Sequence, residues 1–171
     1  MAVLQRYRIL DTAYEAIFDE IAAVAAKVCG TPMSAISLVD AERQWFKAQV
    51  GLKVAETTRD LAFCAHAIMD PAQLLVVNDA TTDDRFASNP LVTGQPSIRF
   101  YAGAPLVAPD GSAVGTLCVI DSKPRQLSVA QLHVLRQLAA HVIAICEAKQ
   151  QIAELAERRE IPNQRDLRLA S

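Results

Sequence analysis

Two stretches of this chain pair strand-like runs across gaps too short for anything but a reversal. "SIRFYAGAPLV" (97–107) and "AVGTLCVID" (113–121) are rich in small and branched apolar residues and are joined through "APDG". Asp110-Gly111 is the strongest hairpin signal in the chain, because tight hairpin turns need positive φ at their central residues. "MSAISLVD" (33–40) and "QWFKAQVGL" (44–52) repeat the arrangement around "AER". Parallel neighbours need a crossover of a dozen or more residues, so these strands run antiparallel. The fold class that follows is α+β rather than doubly wound.

The remaining elements follow from periodicity. Ile17, Ile21, Val24, Ala25 and Val28 recur at helical spacing between Tyr14 and Cys29, with Asp11 and Thr12 as N-cap candidates and Gly30 and Pro32 as the stop. Residues 60–69 read as a short helix ended by Pro71, and "LLVVND" (74–79) as a brief strand. "ATTDDRFASNP" (80–90) reads as one capped helical turn, with Asn89-Pro90 as a breaker. Ser128 caps a long helix predicted to run to Arg159, before Pro162 and a polar tail. The expectation is an antiparallel sheet of five to six strands in one domain over 1–150, with a helical extension and tail over 151–171.

Alternation along the strands separates two faces. Ile36 and Leu38, with Leu117 and Val119, form an aliphatic face suited to the long helices. Ser37, Thr116 and Cys118 lie on the other, which is expected to face a cavity roofed by the short helix carrying Cys64 and His66.

Composition removes several function classes. Half-apolar content (51%) with 21% charged residues argues against disorder. A net charge of −2 gives no footprint for nucleic acid. No apolar run approaches the roughly 20 residues of a membrane span, and the N-terminus has no export-signal pattern. The expected location is therefore the cytoplasm. The four cysteines, Cys29, Cys64, Cys118 and Cys146, are widely spaced with no C-x-x-C, so a metal centre of paired thiolates is not expected.

The blocks "RYRILDT", "CGTPMSAISLVDAERQWFKAQVGL", "DLAFCAHAIM", "LLVVNDATTDDRFASNPLV" and "IRFYAGAPLVAPDGSAVGTLCVID", in this order over residues 4–150, resemble a GAF domain. They are most similar to the bacterial GAF sensor modules that precede histidine kinases and diguanylate cyclases. The resemblance implies a GAF-like (profilin/PAS-like) sheet with long helices on one face and a small-molecule pocket on the other. The Asn-Lys…Phe…Asp-Glu motif of cyclic-nucleotide-binding members is absent. Bilin-binding members attach their chromophore through Cys directly followed by His, whereas this chain has Cys-Ala-His early in the sequence, so no covalent bilin is expected. Free methionine sulfoxide reductases are the enzymatic branch, and Cys64 with Cys118 could serve such thiol chemistry, but the cysteine-rich loop of that branch is missing.

On a helix, residues two apart point about 200° away from each other, so Cys64 and His66 do not share a face. One is expected to face the pocket or core and the other to cap the helix or bond a carbonyl. The candidate ligand-contacting set is Phe63, Cys64, His66, Asp79, Arg99, Tyr101, Thr116 and Cys118, with Arg99 and Tyr101 on one strand face. Asp79, Asp83, Asp84 and Arg85 also read as loop caps and an ion pair. No catalytic constellation or metal site is expected, and the ligand is an unidentified small molecule. In the last helix Leu138, Val142, Ile145 and Ile152 follow three- and four-residue steps; the stripe up to Ile145 suits the sheet, and 146–159 should project toward a partner. A parallel homodimer through the terminal helices is expected, passing ligand occupancy to a histidine kinase or cyclase effector.

Overall fold

The computed structural model describes residues 2–53, 56–59 and 63–160. One antiparallel sheet of six strands, in the order β3-β2-β1-β6-β5-β4, organises the molecule. The strands are β1 (Met33–Val39), β2 (Arg43–Val50), β3 (Glu56–Thr58), β4 (Leu75–Val77), β5 (Phe100–Val107) and β6 (Ala113–Asp121). The helices are α1 (Ala2–Tyr7), α2 (Ala16–Cys29), α3 (Phe63–Ala67), α4 (Pro90–Thr93) and α5 (Val129–Glu160). Both predicted hairpins form, β1–β2 and β5–β6, and β1 pairs with β6 to place them at the sheet's centre. The expected polar tail, 161–171, lies outside the described residues, as do 60–62 at the start of the predicted short helix.

The two sheet faces carry the predicted division. Ile36, Leu38, Leu117 and Val119 pack in one core with Phe18 and Ala22 of α2 and Leu135, Ala139 and Val142 of α5. On the other face Ala35, Val39, Cys118 and Ile120 pack with Phe63, Cys64, Phe86 and Tyr101. Ser128 caps α5 reciprocally: its Oγ accepts from the Gln131 amide at 3.2 Å, and Gln131 Oε1 accepts from the Ser128 amide at 2.9 Å. Gly30 ends α2 in the left-handed region (φ 64°), where its N–H reaches the carbonyls of Ala26 and Lys27.

Four local expectations change. The buried face of α2 is Phe18, Ala22, Ala25, Ala26 and Cys29, and the larger residues Ile17, Val24 and Val28 are exposed. Alanines let the helix lie close on the sheet, so the bulkier stripe turns outward. Neither Asp11 nor Thr12 caps α2: Glu15 occupies the N-cap position, Asp11 pairs with Arg43 at 2.7 Å, and Thr12 accepts from Lys47 at 2.7 Å. Asn89-Pro90 starts a helix instead of breaking one. The Asn89 side chain accepts from the Leu91 amide and Pro90 fills the first turn, where its missing N–H is not needed. Finally, α5 is long and apolar enough by length and composition to reach the threshold for a membrane span, although Leu135, Ala139, Val142, Ile143 and Cys146 already face the domain core.

The far end of α5 does not simply project. The segment α1, missed in the sequence, lies against it. Tyr7 donates to Glu147, Arg6 Nε to Gln150 Oε1 at 3.2 Å, and Arg8 pairs with Glu157 at 2.7 Å. Val142 is buried in the domain, Leu138 and Ile145 are half-buried against the same core, and Ile152 and Leu155 are exposed.

Candidate functional site

Strands β5 and β6 supply the floor. Thr116 and Cys118 point away from the long helices because Leu117 and Val119 point toward them. Tyr101 on β5 shares that face, and Gly103, two residues on, leaves room for its ring. A Cβ at Gly103 would overlap the Tyr101 hydroxyl and ring. The ring therefore lies along the strand and its hydroxyl reaches Cys64 Sγ at 3.2 Å and Thr116 Oγ1 at 3.4 Å.

The roof is α3. Its five residues turn Phe63, Cys64 and Ala67 inward. Phe63 stacks on Phe86 with centroids 4.1 Å apart and tilts against Tyr101 at 5.1 Å. Cys64 Sγ accepts from Thr116 Oγ1 at 3.0 Å, and Thr116 in turn bonds Ser37 Oγ at 3.2 Å. The result is a buried polar knot of two thiols and three hydroxyls inside an apolar shell.

Ionisation within the knot is uneven. Burial opposes a charge on Cys64, but hydrogen bonds from the Cys118 thiol and the hydroxyls of Ser37, Thr116 and Tyr101 outweigh it and pull Cys64 down to about 6. Cys118 is pushed well up, first by its hydrogen bond to Cys64 and then by burial. Tyr101 is also pushed well up, chiefly by burial. The first proton lost belongs to the coupled pair, and the Thr116 and Tyr101 hydroxyls that donate to Cys64 Sγ favour the charge there. Cys29 and Cys146 lie in the helix-side core and are only raised by burial, Cys146 to about 11.

Beside the knot is a cavity of about 60 Å³. Cys64, Cys118 and Tyr101 close one end, and Phe46, Ile98 and Ile120 are among its apolar walls. Gln44 and Thr57, directly opposed across β2 and β3, line it as well. Gln44 Oε1 and Thr57 Oγ1 are buried, and neither has a hydrogen-bond partner. Two adjacent orphan polar atoms on one wall are unusual, because each forfeits solvation without compensation. Among the described residues, no ionisable side chain other than the two thiols and Tyr101 lines the cavity.

Of the eight residues picked from sequence, Phe63, Cys64, Tyr101, Thr116 and Cys118 come together here. His66 does not join them: it is exposed, its ring edge-on to Phe86 at 4.9 Å, as the two-residue spacing on a helix requires. Arg99 does not enter the cavity either. Its Nη1 donates to the carbonyls of Val92 (2.8 Å) and Ile98 (3.0 Å), bracing the loop that carries Ile98 into the wall. Asp79 accepts from the amide and hydroxyl of Thr81, which holds its carboxyl below the usual range. Asp83 forms the expected loop ion pair with Arg85, at 2.6 Å. Gln44 and Thr57 were missed. Gln44 alternates with Phe46 on a strand, which was the available signal, but β3 is three residues long and carries no recognisable pattern.

The other face holds a second polar feature absent from the sequence reading. Ile36 pairs with Ala48 and Ser37 with Phe46, so Lys47 is the extra residue of a β-bulge. Lys47 lies on the Trp45 side of the strand, fully buried under α2, where its Nζ donates to Thr12 Oγ1 and Ala13 O, each at 2.7 Å, and pairs with Glu15 at 2.8 Å. Glu15 also pairs with Lys149 of α5. These contacts tie the pocket-lining strand β2 to the long helix.

The family model for the GAF domain matches residues 13–145. A protein named cyclic di-GMP phosphodiesterase from Pseudomonas aeruginosa is 42% identical over 144 residues, covering 84% of this chain. The chain spans 24% of that relative's length. Among solved structures, the GAF domain of an Acinetobacter phosphoenolpyruvate-protein phosphotransferase superposes with a TM-score of 0.67 at 18% identity, covering 88% of this chain and 96% of that one. A free methionine-R-sulfoxide reductase from Neisseria meningitidis superposes with a TM-score of 0.65 at 19% identity, covering 88% and 89%. At these identities the two structures share the fold with this chain.

Proposed function

The chain belongs to the GAF domain family, and on that premise we propose that this signalling module senses a small neutral ligand in the cavity between Cys64 and Gln44. The observation that carries the reading is the pair of buried, unsatisfied atoms, Gln44 Oε1 and Thr57 Oγ1, on two residues that line an apolar cavity. A ligand donating one hydrogen bond to them restores what folding left unmade, worth about 1–3 kcal/mol. An anion gains nothing from Gln44 Oε1 and meets no cation among the described lining residues. Size sets a further bound. A cavity of roughly 150 Å³ takes benzene, so about 60 Å³ takes a body of two to four heavy atoms in this conformation.

A thiol-dependent reductase is the second reading, favoured by two buried thiols, Cys64 and Cys118, that line one cavity. Size counts against it, because free methionine sulfoxide is several times larger than the space next to Cys64 Sγ.

Occupancy leaves through the terminal helices, acting in the cytoplasm on a histidine kinase or a cyclic-dinucleotide enzyme. The name and greater length of the Pseudomonas relative support the latter. The module works as a homodimer. Ile17, Val24 and Val28 form an exposed apolar stripe on α2, Tyr14 is exposed just before it, and Ile152 and Leu155 are exposed on α5; such patches on a small domain mark interaction surfaces. Sedimentation of dilute protein should show dimer, and Val24→Asp should shift it to monomer; a wild-type monomer refutes this part.

Acetamide and acetate, matched in shape, test the ligand class. Acetamide should shift the methyl resonances of Ile98 and Ile120 saturably, and acetate should not. A ceiling of about −1.5 kcal/mol per heavy atom limits a four-atom ligand to tens of micromolar at best. Equal binding of acetate, or acetamide binding retained in Gln44→Leu, refutes the reading.

A further inference from the structure

Neutral-ligand binding at Gln44 and Thr57 leaves the two thiols at the other end of the cavity without a role. We propose that Cys64 and Cys118 are a peroxide-oxidisable pair, closing to a disulfide when hydrogen peroxide enters the cavity. The inference does not rest on any ligand at the Gln44–Thr57 end.

Three observations carry it. Both sulfurs border the cavity, so an oxidant inside it meets them without further opening. Cys64 sits over β6, its sulfur accepting from Thr116 at 3.0 Å, and Cys118 is two residues along that strand on the same face and in the same buried cluster, so the second thiol lies beside the first. Tyr101 and Thr116 donate to Cys64 Sγ at 3.2 and 3.0 Å, which favours negative charge on that sulfur in a site with no cation among its described lining residues. Dimensions select the oxidant: about 60 Å³ admits a two-oxygen peroxide and excludes bulky ones.

The chemistry balances with the peroxide alone. The Cys64 thiolate attacks one peroxide oxygen; an S–O bond forms, the O–O bond breaks, and hydroxide leaves. That hydroxide takes up the proton Cys64 had released and becomes water. The Cys118 sulfur then attacks the sulfenic sulfur of Cys64; an S–S bond forms and the S–O bond breaks. The departing oxygen carries away the Cys118 proton as a second water. Each sulfur loses one electron and the peroxide gains two. The disulfide would join α3 to β6, fixing the cavity roof to its floor.

Hydrogen peroxide at stoichiometric amounts is added to the folded full-length chain, followed by denaturing thiol counting and peptide mapping. Two thiols should disappear into a peptide joining Cys64 to Cys118, with Cys29 and Cys146 still free. Cys118→Ser should stop at a Cys64 sulfenic acid, trapped by dimedone when the oxidised protein is unfolded in its presence. Cys64→Ser, which retains a hydrogen-bonding atom at the site, should slow thiol loss about tenfold or more. Tyr101→Phe, with both cysteines present, should slow it severalfold. Tert-butyl hydroperoxide, larger than the cavity, should react far more slowly than hydrogen peroxide. Bonds between other cysteines or between chains, or the same rate in Cys64→Ser as in wild type, overturn the proposal. Equal rates with the two peroxides overturn the role of the cavity.

Discussion

The Glu15 carboxylate is a sensitive point in the fold because its two partners differ so much in exposure. The Lys47 side chain is 0% exposed, Lys149 is 48% exposed, and Glu15 itself is 31% exposed. In Glu15→Gln the charge on Lys47 stays buried with only the neutral acceptors Thr12 Oγ1 and Ala13 O. Removing one partner of a buried pair costs about 3–5 kcal/mol. Glu15 is partly solvated and two neutral acceptors remain, so the expected loss is about 2–3 kcal/mol. Lys149→Met breaks only the exposed half of the bridge and should cost about 0.5 kcal/mol. Lys47→Met removes the buried charge itself and keeps the contact with the Phe18 ring beneath it, so it should stay within about 1 kcal/mol of wild type.

Urea denaturation at neutral pH measures all three. For a domain of this size Glu15→Gln should also lower Tm by roughly 5–10 °C. The pH dependence has a definite sign. Hydrogen bonds from Lys149 and then Lys47 hold the Glu15 carboxyl below its ordinary value of 4.5. The unfolded chain therefore binds the extra proton first, and this contribution is fully present above about pH 4.5 and lost as pH falls through the lowered folded value. Glu15→Gln should flatten that limb of the stability curve. A Glu15→Gln loss below about 0.5 kcal/mol, or a Lys149→Met loss as large as that of Glu15→Gln, refutes the claim that the buried lysine dominates.

Gly103→Ala should displace the Tyr101 ring and remove its hydroxyl from Cys64; ultraviolet thiolate absorbance should then titrate above the apparent value of about 6 of the wild-type pair. Gln44→Leu removes a buried oxygen that has no partner, so stability by urea denaturation should rise by about 1 kcal/mol while acetamide binding is lost. In Gly115→Ala the new Cβ would overlap the backbone carbonyl of Ser37, an atom that cannot move without breaking the β1–β6 ladder, so circular dichroism should show an unfolded or strongly destabilised chain.

The central sheet was legible because two independent signals coincide there. The Asp110-Gly111 turn sets the β5–β6 reversal, and alternation of Thr116, Leu117, Cys118 and Val119 assigns the faces. Phe63, Cys64, Tyr101, Thr116 and Cys118 were within reach for the same reason, since each sits on a regular element whose inward phase can be counted. Periodicity misled on α2, where the apolar stripe Ile17, Val24 and Val28 is the exposed one. Bulk is not burial: the alanine side allows the closer approach to the sheet. Gln44 and Thr57 needed the β2–β3 register, which a three-residue strand does not announce. Alternation from Trp45 already puts Lys47 on the helix side, but a buried lysine there was not anticipated, and the bulge that brings Ala48 to the same face leaves no sequence signal.

Both ends of the cavity connect to α5, and by different strands. At the thiol end, Cys118 lies between Leu117 and Val119, which pack in the core with Leu135 and Val142 of α5. A change in β6 at Cys118 therefore bears on the helix through apolar packing, which is short-ranged and insensitive to salt. At the amide end, Gln44 and Phe46 share strand β2 with Lys47, which faces the helix side, and the chain of contacts continues through Glu15 to Lys149. That route is ionic, half-exposed at its last step, and weakens as salt screens it. One helix thus receives two inputs whose physical dependence differs, and the Glu15 bridge is where they can be separated without touching the cavity.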